Sequence, residues 1–302
     1  MSGMPLVAWC PAKVNLSLRV VGRREDGYHE LETRFQAIDL WDRIEARADE
    51  RLTLACEDPA VPCGPENLVL RAASAMRDLA PRRALGAALR LTKRIPVQGG
   101  LGGGSSDAAG ALLLCARLWG LEPDAEVVRG LARELGADVP FFLFGGTADG
   151  TGRGDRIRTA EYLGDLPILL GIPPFGLSTR EVFAAFAPRL TPRGGNVSVR
   201  ASSGAKSRGD NDFSFMVNDL ESVAFSIRPE LGAFRDALFE AGALGALLCG
   251  SGSSVFGLFA EGTDLAPMAA RLGERFARFR IVATRAVARG AYVADPAEGD
   301  AG

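Results

Sequence analysis

A chain of 302 residues has room for two domains, and its 47% hydrophobic and 24% charged residues form an ordinary globular balance. The formal net charge of −2 lacks the basic surplus of a general nucleic-acid binder. No apolar run reaches the ~18–20 residues of a membrane span, and the first eight residues lack a secretory pattern, so a cytoplasmic protein is expected. The five cysteines, Cys10, Cys56, Cys63, Cys115 and Cys249, are scattered, without the short paired spacing of a zinc site or an even disulfide framework.

In chain order, apolar alternation predicts strands over 6–9, 14–21, 28–40 and 42–47, with 52–55 and 87–93 joining the same sheet. Residues 67–79 read as a helix: Asn67 can cap it, and Leu68, Leu70, Ala72, Ala73 and Met76 supply an apolar face. A second helix is predicted over 108–119, ending near Gly120, and a third over 124–135, ending at Gly136. Strands follow at 141–143 and 147–149, and a domain boundary falls near 157–163. The second half offers a strand at 168–172, a helix through 185 capped by Ser178 or Thr179, and helices at 218–223 and 229–241. Strand, strand, helix and strand follow at 247–249, 254–259, 265–276 and 280–286. Residues 191–212 read as a Gly/Ser/Arg-rich loop with a solvated surface.

The stretch with most chemistry is Pro96-Val97-Gln98-Gly99-Gly100-Leu101-Gly102-Gly103-Gly104-Ser105-Ser106-Asp107. Glycines turn tightly and let the backbone approach a ligand, and Ser and Asp are strong helix N-caps. Such a loop feeding a helix presents free N–H groups and a partial positive charge, which suits a phosphate. It is no Walker A, because no Lys lies between Ile95 and Arg117, and no dinucleotide fingerprint, because Ser105 takes the place of the third glycine. The bland alternative is a flexible linker, but linkers do not run straight into an apolar helix.

A second Gly/Ser cluster spans 245–254 and reads either as a hairpin turn or as a second ligand loop. Asp138 is a turn or capping residue, or a general base for a hydroxyl proton. Lys13 begins an apolar strand, where an ammonium needs a partner; an Asp138 pair would supply one and keep Asp138 ionised. His29, the only histidine, reads with Tyr28 as a surface turn on composition alone. No G-x-S-x-G elbow or protein-kinase H-R-D and D-F-G motif is present.

Together these stretches resemble the GHMP kinases, small-molecule kinases with a glycine–serine loop in place of a Walker A. Their three signature blocks match residues 11–15, 96–109 and 250–254. Pro11-Ala-Lys-Val-Asn-Leu16, Arg24-Glu-Asp-Gly-Tyr-His29, the triple glycine of the loop and Gly136-Ala-Asp-Val-Pro140 narrow the likeness to the branch acting on a cytidine diphosphate-linked methylerythritol. The likeness covers nearly the whole chain in order. It implies an α+β fold: an ATP-binding domain of the ribosomal-S5-domain-2 type over 1–160 and a ferredoxin-like domain over 161–302. It implies ATP-dependent phosphorylation of the substrate's 2-hydroxyl with Mg²⁺, in non-mevalonate isoprenoid precursor biosynthesis. The partners implied are a small molecule, with no nucleic acid or membrane, and a monomer or weak homodimer.

By position, the resemblance makes Asp138 the base and Lys13 its partner, and wraps residues 96–106 around the ATP phosphates. Asn15, Tyr28 and His29 would meet the substrate, His29 at the cytosine edge. Thr179 and Phe183 match a Thr-x-x-x-Phe pattern whose ring stacks on cytosine with Tyr28. Gly250, Ser251 and Gly252 would close on the methylerythritol and phosphate. No metal ligand is assigned; Asp107 is expected to cap a helix. The competing expectations are another GHMP kinase, acting on mevalonate, homoserine or a sugar, and a non-catalytic ligand sensor on the same scaffold.

Overall fold

The computed structural model describes residues 4–80, 85–186 and 213–294. Its larger sheet grows from two long antiparallel strands, β1 (Leu6–Arg23) and β2 (His29–Asp49). Four shorter strands are expected over this stretch; the structure instead runs through both presumed breaks. Register shifts at Pro11/Ala12, Asn15/Ser17 and Val20/Gly22 absorb the irregular residues as bulges, so pairing continues past them.

Each long strand changes neighbours along its length. Residues 43–49 of β2 pair with β4 (Gly86–Thr92), which pairs in parallel with β3 (Leu52–Cys56). Residues 31–36 pair with β5 (Thr147–Gly152), followed by β6 (Arg156–Thr159). Helices α1 (Leu68–Asp78), α2 (Gly103–Trp119) and α3 (Ala125–Leu135) belong to the same half. Asn67 caps α1 as expected, accepting from the Val69 N–H at 2.8 Å. Val69, Ala72, Ala73 and Met76 then join Ala108, Leu112 and Leu114 of α2 in the core over the sheet. Residues 141–143 are not a strand: they lie in a short helix, α4 (Val139–Phe144), with Pro140 in its first turn. An apolar run this short carries no period to separate helix from strand.

The second sheet has the order β11-β7-β10-β9, from β7 (Pro167–Ile172), β9 (Gly245–Leu248), β10 (Val255–Leu258) and β11 (Arg280–Arg285). Helices α5 (Thr179–Phe186), α6 (Glu221–Ile227), α7 (Pro229–Glu240) and α8 (Ala266–Arg275) accompany it. The helix expected at 218–223 starts at Glu221, because Val217–Asn218 forms a short strand, β8, parallel to β1. Another strand absent from the sequence reading, β12 (Tyr292–Val293), pairs with the other end of β1. The second half of the chain thus returns twice to the first sheet.

A shared core joins the sheets: Val14, Leu16 and Ile38 from the first pack with Leu170, Phe256 and Leu258 from the second. The α+β architecture is the one expected. Residues 191–212 lie outside the described residues. Among the described residues no helix is long and apolar enough to cross a membrane.

Candidate active site

The glycine loop leaves β4 and enters α2. Gly102 is left-handed (φ 74°) at the N-cap, and its carbonyl accepts the Ser106 N–H at 2.9 Å, so the helix starts at Gly103. The expectation that Ser105, Ser106 or Asp107 caps this helix is corrected: all three lie inside it, and Ser106 and Asp107 are buried. A left-handed glycine permits that earlier start and leaves the first-turn N–H groups without a side-chain cap.

Sterics explain two of the glycines. A Cβ on Gly102 would stand 2.7 Å from the Phe142 ring and 3.1 Å from Lys13 Cε. On Gly100 (φ 75°) it would stand 2.1 Å from the Cys249 carbonyl oxygen. Residues 249–254 therefore form a second loop packed directly on the first, with the Ser254 N–H donating to the Gly99 carbonyl at 3.0 Å. Asn218 of β8 is buried and donates to the Leu248 and Gly250 carbonyls at 2.9 and 2.7 Å, fixing that second loop to the first sheet.

Lys13 and Asn15 share one face of β1. Lys13 is 3% exposed; its backbone N–H donates to Leu101 O at 2.9 Å. Its Nζ donates to Asn15 Oδ1 at 2.7 Å and stands 3.4 Å from Asp138 Oδ2 and 5.6 Å from the centre of the Phe35 ring. Asn15 donates in turn to Thr33 Oγ1 at 2.8 Å, and Thr33 donates to the Ser17 carbonyl at 2.7 Å. Asp138 occupies the N-cap position of α4 but makes no side-chain capping bond, and a third of its side chain is open. Its carboxylate is thus held by Lys13 and remains available to a ligand.

Lys13 and Asp138 line a cavity of about 860 Å³. Asn15, Tyr28, His29, Thr179 and Phe183 line it too, as do Gly100, Gly102, Gly250 and Ser251. Pro96, Val97, Gln98, Gly99, Leu101, Gly103, Gly104, Ser105, Ser106 and Gly252 are not among its walls; Leu101 is buried in the core between the sheets. The sequence-predicted residues therefore converge on one cavity with one part of the glycine loop, while the rest of the loop lies beyond it.

Tyr28 is exposed at the end of a turn in which its N–H donates to Asp26 Oδ1 at 3.1 Å. His29 stacks on Phe183 with ring centres 4.9 Å apart. The His29 Nε2 is sheltered and has no hydrogen-bond partner. Burial, and then the charge of Arg23, lower the His29 pKa below its usual value, favouring the neutral imidazole. Thr179 and Ser251 share a hydroxyl–hydroxyl bond of 2.9 Å, linking α5 to the second loop.

Sequence reasoning missed Thr33, Asn218 and three cavity arginines, Arg23, Arg153 and Arg180. The Arg153 guanidinium lies 5.3 Å from the Tyr28 ring centre. Each of these residues comes from a separate element, so no local spacing announces them. Among the described residues no group of three or more His, Cys, Asp or Glu side chains is arranged to hold a metal ion.

Two family models match the chain: "GHMP kinases N terminal domain" over residues 67–146 and "GHMP kinases C terminal" over 201–278. A protein of Pelotomaculum thermopropionicum named 4-diphosphocytidyl-2-C-methyl-D-erythritol kinase is 44% identical over 89% of this chain and 94% of its own length. The crystal structure of a 4-(cytidine 5'-diphospho)-2C-methyl-D-erythritol kinase superposes with a TM-score of 0.75 at 40% identity, covering 93% of this chain and 98% of that one. A homoserine kinase from Cytophaga hutchinsonii has a TM-score of 0.77 at only 18% identity, over 97% and 98% of the two chains, and shares the fold alone. By identity and coverage, this chain belongs to the GHMP kinases and, within them, to the 4-diphosphocytidyl-2-C-methyl-D-erythritol kinase family.

Proposed function

We propose that the protein transfers the γ-phosphoryl group of ATP to the 2-hydroxyl of 4-diphosphocytidyl-2-C-methyl-D-erythritol. The observation that carries this reading is the cavity itself: a Lys13–Asp138 pair, the inner face of the glycine loop and an aromatic-histidine group share one space. In the transfer, Asp138 accepts the hydroxyl proton as the substrate oxygen forms its bond to the γ-phosphorus. The bond from that phosphorus to the bridging oxygen breaks, and ADP leaves. Lys13, oriented by Asn15 and Thr33, keeps Asp138 in place and offsets negative charge on the transferring group. The first-turn N–H groups of α2 and the glycine loop receive the nucleotide phosphates. Magnesium would be held by the nucleotide phosphates themselves, since no cluster of metal-ligating side chains is present among the described residues, and would neutralise part of their charge.

At the other end, neutral His29 has both a donor and an acceptor for the cytosine edge, and Tyr28 and Phe183 supply ring faces for stacking. A small aliphatic alcohol needs none of these, so the arrangement favours the cytidine compound over mevalonate or homoserine. The buried Lys13 beside Asp138 favours an enzyme over a ligand sensor, which has no use for that pair.

The test is an ADP-release assay with Mg-ATP and 4-diphosphocytidyl-2-C-methyl-D-erythritol, run beside mevalonate, homoserine and galactose. Release with the cytidine compound alone is expected. Release with another acceptor overturns the substrate assignment; no release from folded protein that binds ATP overturns the enzyme reading.

A further inference from the structure

Beneath the glycine loop lies a charged cluster outside the catalytic cavity. Lys93, just past β4, Asp42 of β2 and Asp107 of α2 have side chains only 6%, 0% and 3% exposed. Lys93 Nζ donates to Asp107 Oδ2 at 2.7 Å and also to Asp42 Oδ2. The other Asp42 oxygen accepts the Arg94 and Ile95 backbone N–H groups at 2.6 and 2.9 Å. Asp42 thus fixes the chain where it enters the loop, and Asp107 belongs to the helix where it leaves. Lys93 ties both carboxylates together. A Cβ on Gly103 would lie 3.1 Å from Lys93 Nζ, so the ammonium sits directly under the start of α2.

Three buried ionisable side chains are costly to assemble, whichever of them carry charge. From this geometry we propose that the Asp42–Lys93–Asp107 cluster is a clamp that holds both ends of the glycine loop in their ligand-ready positions, with Asp107 as a positioning residue for the nucleotide phosphates. The proposal rests on the loop being the nucleotide site, as proposed above.

The charge state sharpens the clamp. Two carboxylates and one ammonium leave a net negative charge near the phosphate-binding end of α2 unless one carboxyl keeps a proton. Burial first, and Asp42 beside it, push Asp107 up to about 8 against the lowering pull of Lys93. Burial opposes the charge on Lys93, but Asp107 and Asp42 outweigh it and keep the ammonium charged. Among the described residues, the Cys10 thiol of β1 also faces Asp107, and burial and then both carboxylates hold it neutral. A protonated Asp107 leaves the cluster neutral and the helix N-terminus unopposed; its deprotonation places a negative charge against the phosphates.

The test is calorimetric binding of magnesium and the β,γ-imido analogue of ATP to the full chain, on either side of about pH 8. Asp107→Ala cuts the link to Lys93 and should weaken binding by roughly tenfold. Asp107→Asn keeps an oxygen for Lys93 and cannot ionise. It should bind like the wild type at the lower pH and hold that affinity at the higher pH, where the wild type weakens. Wild-type affinity in Asp107→Ala, or the same pH slope in Asp107→Asn and the wild type, overturns the clamp while leaving the proposed function intact. Should Asp107→Ala not fold, Asp107→Ser, whose hydroxyl is too short to reach Lys93, takes its place in the affinity comparison. No binding by the wild type overturns both readings.

Discussion

The proposed ligand surface is made of backbone at one end of the cavity and of side chains at the other. The glycine loop is pinned by Gly100 against the Cys249 carbonyl, by Gly102 against Phe142, and by the Ser254–Gly99 hydrogen bond. Buried ion pairs lie under it. The Tyr28, His29 and Phe183 end is half-open, and Tyr28 is 57% exposed. A phosphate is the same in every nucleotide, so it can be met by a rigid nest of N–H groups. A base must be told from other bases, which takes side chains with specific donors, acceptors and faces.

Asp138→Asn removes the base that the proposed mechanism places between the two ends. Loss of a general base costs ~10²–10⁴-fold, so kcat should fall within that range while calorimetric ATP binding stays as it was; an unchanged kcat removes Asp138 from the role. Next in size is His29→Ala. An unmatched base edge costs about 1–3 kcal/mol, equivalent to a KM for the cytidine substrate raised roughly fivefold to 150-fold, with the KM for ATP unmoved. Equal changes in both constants would show that the two ends are not separate.

Gly100→Ala probes the backbone end. A Cβ at a left-handed position, 2.1 Å from a carbonyl oxygen, forces the two loops apart. Strain of this kind costs about 1–3 kcal/mol, read as a lowered thermal midpoint together with weaker ATP binding. The smallest effect belongs to Thr33→Val, which removes the acceptor for Asn15 and so loosens Lys13. A single hydrogen bond contributes about 1 kcal/mol; kcat should drop several-fold while both binding constants hold.

His29 also supplies a pH handle on the side-chain end. Its pKa is lowered in the folded protein, so the favourable contribution of the neutral ring is present above its ordinary value near 6.5 and is lost as pH falls through the depressed one. The KM for the cytidine substrate should therefore rise on acidification in the wild type and remain flat in His29→Ala. Titration of both constants against pH in the two proteins checks this.

The sequence marks the loop, the Lys13 and Asp138 positions and the Tyr28-His29 turn because each is a short local pattern. It also marks helix α1, where Asn67 caps and Ala72, Ala73 and Met76 of the expected face are buried; Val69 joins them in place of Leu68 and Leu70, which are only partly buried. It misreads residues 141–143, an apolar run too short to reveal its period, and takes Asp107 for a cap when the chain has placed that residue inside a helix and against Lys93. Ser, Asp and Asn suit both a cap and a buried partner, and only the position of the helix start separates the two uses.

By itself, the sequence determined the α+β class and the presence of a phosphate-suited loop, since backbone freedom, capping and hydrophobic period act within a few residues; the remaining candidate site residues came from the resemblance to the GHMP kinases. Tertiary structure alone decided the return of β8 and β12 to the first sheet, the packing of one glycine loop on the other, the Lys13–Asn15–Thr33 relay and the Asp42–Lys93–Asp107 cluster. These depend on which distant side chains meet in a dry interior, where an ion or amide finds a partner or pays heavily in lost hydration, and chain spacing does not specify that meeting.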